Sequence, residues 1–195
     1  MTRKPNTDLR RGWTTGACAT AATKAALDAL WGNGFKKDVT ITLPRGEKPI
    51  FPLAHTDSGL GWAEVGITKD AGDDPDVTHG ALIIVRVLEN NSGIIFKAGE
   101  GVGTVTKAGL PISIGEPAIN PIPRQMMTEV VNEQASIYGY KPFLDITISI
   151  PNGEEITLNT WNGRLGIVGG LSILGTTGIV RPFSCAAWIA SIHRG

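Results

Sequence analysis

The sequence lacks three features that define large classes of protein: a net charge, a long apolar run and a rich set of cysteines. Its 18 basic and 18 acidic residues balance, and because the basic residues are scattered, no surface for DNA or RNA is expected. No apolar run reaches the roughly 18 residues of a membrane span. Residues 1–13 also lack the apolar core of a signal peptide. We therefore expect a cytoplasmic protein with neither a membrane nor a nucleic acid as partner.

Only two cysteines are present, Cys18 and Cys185, and a lone pair in a reducing compartment is usually two free thiols. Cys18 falls at the expected start of a helix, where the helix dipole lowers a thiol pKa. An activated thiolate is therefore one interpretation. A buried, unreactive thiol is favoured for both cysteines, because no histidine or carboxylate adjoins either one in the sequence.

Two long helices are predicted from apolar spacing and from their end signals. Thr14 or Thr15 caps the first, alanine and leucine fill it, and Gly32 or Gly34 ends it. The second helix opens at Pro123, because proline suits the first helical position. Its core face is predicted from residues at helical spacing: Met126, Met127, Val130, Val131 and Ala135.

Strands dominate the rest of the chain. Three alternating segments predict a meander: residues 39–44, 50–56 and 59–69. His55 is interpreted as a half-buried strand residue, with a catalytic base as the alternative. Residues 81–90 form a largely apolar run, which predicts a central strand buried on both faces. Residues 143–159 predict a hairpin that turns at Pro-Asn-Gly.

The segment from Ala98 to Arg124 is predicted to be a packed, ligand-facing loop. It is long and has no regular period, and ordered loops of that length are usually functional. Gly99, Gly101 and Gly103 alternate, so the backbone can approach a ligand closely. Lys107 and Arg124 add cations beside amides that could cradle an anion. The alternative is a stiff loop that covers an edge of the core.

The first turn of the first helix is a second candidate. Gly16 and its neighbours are small, which would leave the helix N-terminus open to an anion. The alternative is that small residues let the helix pack tightly on a sheet.

Residues 70–80 place three carboxylates ahead of His79. Asp73, Asp74 and Asp76 resemble a metal loop, but their spacing does not match a calcium-binding loop, and no metal is predicted. Asp76 and Thr78 are expected to cap turns through side chain to backbone hydrogen bonds. His79 remains a candidate acid, base or ligand contact, against the alternative that the loop only satisfies its own backbone.

Neither of two familiar glycine-rich binding motifs, the Rossmann-type glycine loop and the phosphate-binding P-loop, is supported by the sequence. The segment KAGEGVG resembles the glycine loop of a Rossmann-type methyltransferase, but that motif requires a helix to follow at once. Gly109 and Pro111 come first, and no helical period appears before Pro123. No phosphate-binding P-loop sequence is present.

Five blocks, in order along the chain, closely resemble the cobalt-precorrin-5B C1-methyltransferase (CbiD) family: TTGACATAATKAA, DAGDDPDVTHGALI, GEGVGTVTKAGLP, GEPAINPIPR and GGLSILGTTGIVRPFS. The resemblance implies an α+β fold, a mixed or antiparallel sheet with helices packed on it, similar to the second domain of ribosomal protein S5. It places this domain at residues 1–180. Residues 181–195, with a helix start at Ser184, are expected to begin a linker or second domain, so that a C-terminal Rossmann-like domain is missing from a truncated chain.

The resemblance also implies an activity: S-adenosylmethionine-dependent methylation of C1 of cobalt-precorrin-5B, giving cobalt-precorrin-6A in cobalamin (vitamin B12) biosynthesis. A non-catalytic tetrapyrrole-binding domain and an S5-like small-molecule kinase are the alternatives. The family resemblance is also compatible with a homo-oligomer.

Site residues are assigned on that basis. The carboxylated corrinoid substrate is expected to meet helix N-termini and cations: Thr14, Thr15, Gly16, Lys107, Arg124 and Arg181. The cationic methyl donor is expected near Gly99, Glu100, Gly101 and Gly103, with the carboxylates of residues 73–76 as the alternative acidic group that could face it. His79, with Asp76, is the candidate base for a proton released during transfer.

Overall fold

The computed structural model describes residues 9–182, which form a mixed α+β arrangement. Three helices are present there: α1 (Thr15–Trp31), α2 (Pro121–Tyr138) and α3 (Gly153–Thr157). The strands are β1 (Gly12–Trp13), β2 (Asp38–Thr40), β3 (Ile50–Pro52), β4 (His55–Gly59), β5 (Trp62–Thr68), β6 (Leu82–Glu89), β7 (Ile94–Ala98), β8 (Thr104–Val105), β9 (Leu144–Ser149), β10 (Ile167–Val168) and β11 (Ile179–Val180). The α+β fold with a mixed sheet and packed helices is confirmed.

The main sheet has five strands in the order β4-β5-β6-β9-β7. Neighbours are antiparallel except β7 and β9, which are parallel. A parallel pair needs a crossover, and here the chain between β7 and β9 supplies the glycine-rich segment and α2. The meander predicted from residues 39–44, 50–56 and 59–69 is confirmed only in part: β4 and β5 pair in the main sheet, while β2 and β3 pair in a separate two-stranded sheet.

One face of this sheet is the core. Val65, Val85 and Ile148 lie side by side on it and are fully buried, and α1 packs against β5, β6 and α2. The opposite face carries charged and half-buried side chains, such as Glu64 and Arg86. The strand β6 is central, as predicted, but only its inward side chains are buried, so the prediction of burial on both faces is wrong.

Helix α1 is almost entirely buried because its side chains are small. Thr14 is its N-cap and accepts a hydrogen bond from the Ala17 N–H at 3.2 Å, and Gly32 ends it, both as predicted. The hydroxyls of Thr20 and Thr23 donate to backbone carbonyls one turn back, which satisfies them inside the core. The structure therefore confirms the alternative interpretation, in which the small residues of α1 let the helix pack tightly.

Helix α2 begins at Pro121, two residues before the predicted Pro123, with Asn120 as its N-cap. Gly139 ends it in the left-handed conformation, with φ of 76°. All five residues predicted for its core face are buried. Among the helices of residues 9–182, none has both the length and the apolar character needed to cross a membrane.

The predicted hairpin at residues 143–159 is wrong in its second half. The first arm is β9, but after Pro151 the chain turns into α3. The reason lies in distant sequence: β6 pairs with one edge of β9 and β7 with the other. A returning strand therefore has no free edge to join.

Candidate functional site

The acidic loop, residues 69–80, is built around a buried ion pair. Lys69 directly follows β5 and continues its pattern of alternating inward-facing residues. Its side chain is 1% exposed, and its Nζ lies 2.6 Å from Oδ2 of Asp76. The other carboxylate oxygen of Asp76 accepts from the N–H and the hydroxyl of Thr78. This confirms the predicted capping role of Asp76.

The ionisation of Asp76 follows from these contacts. Burial alone would raise its pKa, but the hydrogen bonds from Lys69 and Thr78 outweigh burial, so the pKa lies below its ordinary value. A carboxylate held in this way stays ionised, and both of its oxygens are engaged in hydrogen bonds with Lys69 and Thr78. It positions the loop, and its lone pairs are poorly placed to take a proton from a substrate.

The segment that precedes α1 holds the same loop from outside. The guanidinium of Arg10 forms a two-pronged ion pair with Asp70, and its backbone N–H donates to Asp73 at 2.6 Å. Arg10, together with the N–H of Gly72, lowers the pKa of Asp70 to about 2. Across residues 9–182, no three His, Cys, Asp or Glu side chains converge as metal ligands would.

The ring of His79 sits at the end of this loop, and its side chain is 53% exposed. Its Nδ1 accepts a hydrogen bond from the Ala71 N–H at 3.1 Å, with Asp70 Oδ1 at 3.9 Å from the same nitrogen. An accepting Nδ1 assigns the neutral ring's proton to Nε2. The outward nitrogen of His79 is therefore a donor, and acting as a base would require a change of tautomer.

The glycine-rich segment does not present bare amides to solvent, contrary to the prediction. Gly101 and Gly103 are buried. The Gly99 N–H donates to Ile148 and the Gly103 N–H to Leu171, while the Gly101 carbonyl accepts from Leu171. A side chain at Gly101 would overlap the carbonyl of Ile150. These glycines serve close packing of backbone on backbone, so their own amides do not form the open surface that was predicted for them.

The start of α1 is likewise covered. Thr14, Thr15 and Gly16 are buried, and the Gly16 N–H donates to the Leu174 carbonyl at 3.0 Å. A side chain on Gly16 would lie 2.7 Å from Pro123 of α2. The predicted opening for an anion is absent because the second glycine-rich loop, residues 169–178, and α2 close over it.

The cations assigned to substrate binding divide into two groups. Arg124 is engaged: its Nε donates to Ile119 O at 2.9 Å, its Nη2 to Pro117 O at 3.1 Å, and Glu116 lies 3.3 Å away. It fastens the loop to α2. Lys107 and Arg181 are exposed, and within residues 9–182 neither has an ion pair.

The exposed part of the loop that carries Lys107 contains two shallow cavities. One of about 330 Å³ is lined by residues 108–114 alone. The other, of about 260 Å³, lies between that loop and the start of α2 and includes Glu116 and Arg124. Glu100 is also exposed, while its backbone carbonyl accepts from Ile150 at 2.8 Å.

The thiol of Cys18 is fully buried, which confirms the favoured interpretation. Burial raises its pKa to about 12. We expect native protein carrying Cys185→Ser to resist alkylation by iodoacetamide at pH 8, because the thiolate fraction is below about one in a thousand and access is blocked. Peptide mass spectrometry measures the modification, with unfolded protein as the positive control. Rapid modification of Cys18 in the native state would contradict this assignment. The prediction for Cys185 lies outside the described residues.

Sequence reasoning missed Lys69 and Arg10. A lysine at an inward position of an alternating strand, followed by several aspartates, is the signal that could have revealed the buried pair. Arg10 carried no such signal, because its partners lie about sixty positions away.

Comparisons with known proteins agree on one family. A family model described as CbiD matches residues 2–182. The cobalt-precorrin-5B C(1)-methyltransferase of Rhodospirillum rubrum is 64% identical over 189 residues, covering 96% of this chain and 52% of that protein. The protein of the same name from Brucella anthropi is 63% identical over 190 residues, with shares of 96% and 52%.

Among solved structures, the chain matches the 1.9 Å crystal structure of a cobalamin biosynthesis protein (cbiD) from Archaeoglobus fulgidus. The TM-score is 0.70 and the identity 33%, and the match covers 95% of this chain and 59% of that one. The chain thus spans about half the length of the curated relatives it matches.

Proposed function

The chain belongs to the CbiD family, and from that premise we propose that it takes part in methylating C1 of cobalt-precorrin-5B in cobalamin biosynthesis. The observation that carries the proposal is the 64% identity to a named cobalt-precorrin-5B C(1)-methyltransferase across 96% of this chain. S-adenosylmethionine is the proposed methyl donor, and cobalt-precorrin-6A the proposed product.

The methyl donor does not fit the residues first assigned to it. When bound, it supplies an electrophilic methyl group on a cationic sulfur. Gly99, Gly101 and Gly103 offer it no cradle, because their backbone is occupied by Ile148, Leu171 and the residues around Gly153. Of these residues, only Glu100 has an exposed side chain. We therefore assign them neither a binding site for the methyl donor nor a step of the methyl transfer.

We propose that residues 9–182 act on the corrinoid side. Such a substrate carries several carboxylates, and charge-assisted hydrogen bonds from exposed cations suit them. Among the residues assigned from the sequence, Lys107, Arg181 and the Nε2–H of His79 are exposed donors that suit this role. Thr14, Thr15, Gly16 and Arg124 are proposed to hold the frame that displays them, and Asp76 fixes the loop beneath His79.

Two finer proposals accompany this one. We infer that the fold follows the second domain of ribosomal protein S5, supported by a mixed sheet with α1 packed against β5 and β6 and α2 packed against α1. A homo-oligomer is also proposed, supported by the scatter of exposed apolar side chains, including Ile114 and Leu174.

The activity is tested by incubating the chain with cobalt-precorrin-5B and S-adenosylmethionine labelled in the methyl group. We expect one labelled methyl at C1 and one S-adenosylhomocysteine per turnover, because the ring carbon supplies the electron pair of the new C–C bond while the sulfur keeps the pair of the S–C bond that breaks. Mass spectrometry with NMR of the product measures both. His79→Gln keeps a donor, whereas His79→Ala removes it, so the alanine variant is expected to lose about tenfold or more in kcat/KM relative to glutamine.

Corrinoid binding without any methyl transfer would contradict the proposed activity. That outcome would favour a non-catalytic tetrapyrrole-binding domain. Consumption of ATP with no response to the methyl donor would favour a kinase instead.

A further inference from the structure

The turn formed by residues 160–166, here called the Trp161 turn, is rigidly built. Asn162 is 7% exposed. Its side-chain N–H donates to the Gly170 carbonyl at 3.2 Å, and its backbone carbonyl accepts from the Ile167 N–H at 2.9 Å. The Trp161 carbonyl accepts from the Leu165 N–H at 3.1 Å. The Thr160 hydroxyl donates to the Thr157 carbonyl at 2.7 Å. The backbone of the turn is therefore fixed before any ligand arrives.

This rigid turn holds a tryptophan out in solvent. Trp161 is 64% exposed, although the guanidinium carbon of Arg164 lies 4.6 Å from the centre of its ring. An indole is one of the largest apolar surfaces a protein can bury. A preformed turn that exposes one, with a guanidinium stacked on it, is a feature that folding alone does not explain.

A second cation adjoins the turn. The N–H and the hydroxyl of Thr106 both donate to the Gly166 carbonyl, at 2.7 and 2.8 Å. A side chain on Gly166 would lie 2.6 Å from the stem of Lys107. Lys107 thus rests on the turn only two positions from Arg164.

The cations of this surface lie in stretches of sequence that are poor in carboxylates, between Glu100 and Glu116 and after Glu155. Residues 101–115 contain no Asp or Glu, and no Asp or Glu follows Glu155. In the part of the chain the structure describes, neither Lys107 nor Arg164 joins an ion pair, whereas Arg10, Lys69 and Lys97 each have a carboxylate partner.

We propose that Trp161, Arg164 and Lys107 form a contact surface for a flat, conjugated ligand that carries carboxylates, of the tetrapyrrole class. The choice of tetrapyrrole rests on the proposed function. The indole offers an aromatic face for a conjugated ring. The guanidinium binds a carboxylate through two parallel hydrogen bonds, and the lysine supplies a second point of charge for another carboxylate on the rim.

The test is titration of the chain with uroporphyrin III, a planar tetrapyrrole with eight carboxylates, followed by fluorescence anisotropy of the porphyrin. We expect Arg164→Ala to weaken binding about tenfold and to make it less dependent on salt. Trp161→Ala is expected to weaken binding about three- to tenfold with the salt dependence kept. Arg164→Lys should keep the salt dependence but lose affinity, because lysine lacks the paired donors. A cationic tetrapyridylporphyrin should bind poorly to every variant.

The chain provides a matched control in a second arginine and tryptophan pair. Arg86 lies 3.7 Å from the ring centre of Trp62 on the outer face of the main sheet, beside Glu64. We expect Arg86→Ala to leave uroporphyrin binding unchanged. Equal losses in Arg86→Ala and Arg164→Ala would overturn the proposal, because they would show nonspecific charge attraction.

Two further outcomes separate this inference from the proposed function. Unchanged uroporphyrin affinity in Trp161→Ala and Arg164→Ala, with a shift in sedimentation, would overturn the inference in favour of contact between two copies of the chain. Weakened affinity in both variants, in a protein that fails to methylate cobalt-precorrin-5B, would uphold the surface while the proposed activity fails. Circular dichroism checks that each variant is folded.

Discussion

Replacing Asp76 with alanine is expected to destabilise the folded protein by about 3–5 kcal/mol, because it leaves a buried cation without its partner. Lys69 is 1% exposed, and Asp76 is the carboxylate that contacts its Nζ, at 2.6 Å. The loss should appear as a lower denaturation midpoint with an unchanged slope in urea. It should exceed the loss from most single substitutions at the surface, which stay within about 0.5 kcal/mol.

The same pair predicts a dependence on pH. The pKa of Asp76 is lower in the folded protein than its ordinary value of 3.8, so folding favours the ionised carboxylate. Its contribution is therefore present above about pH 4 and is lost as the pH falls through the folded pKa. The difference in stability between wild type and Asp76→Ala should shrink over that acid range.

Two variants test whether the effect comes from an unpaired charge. Asp38→Ala removes an exposed aspartate and should change the stability by less than about 0.5 kcal/mol. The double variant Lys69→Met with Asp76→Leu removes both charges and should recover much of the loss. A single Asp76→Ala variant as stable as Asp38→Ala would show that Lys69 is hydrated in solution and would contradict the buried pair.

Gly101→Ala is expected to cost about 2–4 kcal/mol for two separate reasons. Gly101 has φ of 69°, where any other residue is strained by about 1 kcal/mol. The added methyl would also overlap the carbonyl of Ile150 and lie 2.9 Å from Gly153, and forcing extra volume into packed structure costs about 1–3 kcal/mol. Urea denaturation measures the sum.

Gly139→Ala is the matched control for strain alone. Its φ of 76° is close to that of Gly101, but no heavy atom of the described residues approaches its added methyl within 4 Å. We expect a loss of about 1 kcal/mol there. Equal losses at Gly101 and Gly139 would mean that the backbone at Gly101 is not packed against Ile150, and the scaffold role of these glycines would be wrong.

The parts of the fold that sequence predicted are those set by local pattern. Thr14 and Gly32 bound α1 because caps and breakers act within a few residues, and Met127 and Val131 are buried because helical spacing alone decides which face they occupy. The start of α2 was misplaced by two residues, since Pro121 and Pro123 both satisfy the same rule.

The predictions that were wrong concern features that depend on residues far away in the sequence. Residues after Pro151 have the composition of a returning strand, but both edges of β9 are taken by strands from elsewhere. Glycines mark close approach of backbone to something, and no local pattern tells whether that is a ligand or, as at Gly101 and Gly170, another stretch of the same chain. The five motif blocks still led to the correct family, because order and identity along the chain carry that information without geometry.

The central claim is that the glycine-rich backbone is an internal scaffold and that side chains at its margin meet the ligand. Amide hydrogen exchange followed by NMR tests it most directly. The N–H groups of Gly99, Gly103 and Leu171 donate to buried carbonyls, so the account predicts slow exchange in the ligand-free protein that does not change when S-adenosylmethionine is added. Fast exchange of these amides, slowed only by the methyl donor, would contradict the account and restore the glycine loop as the binding site.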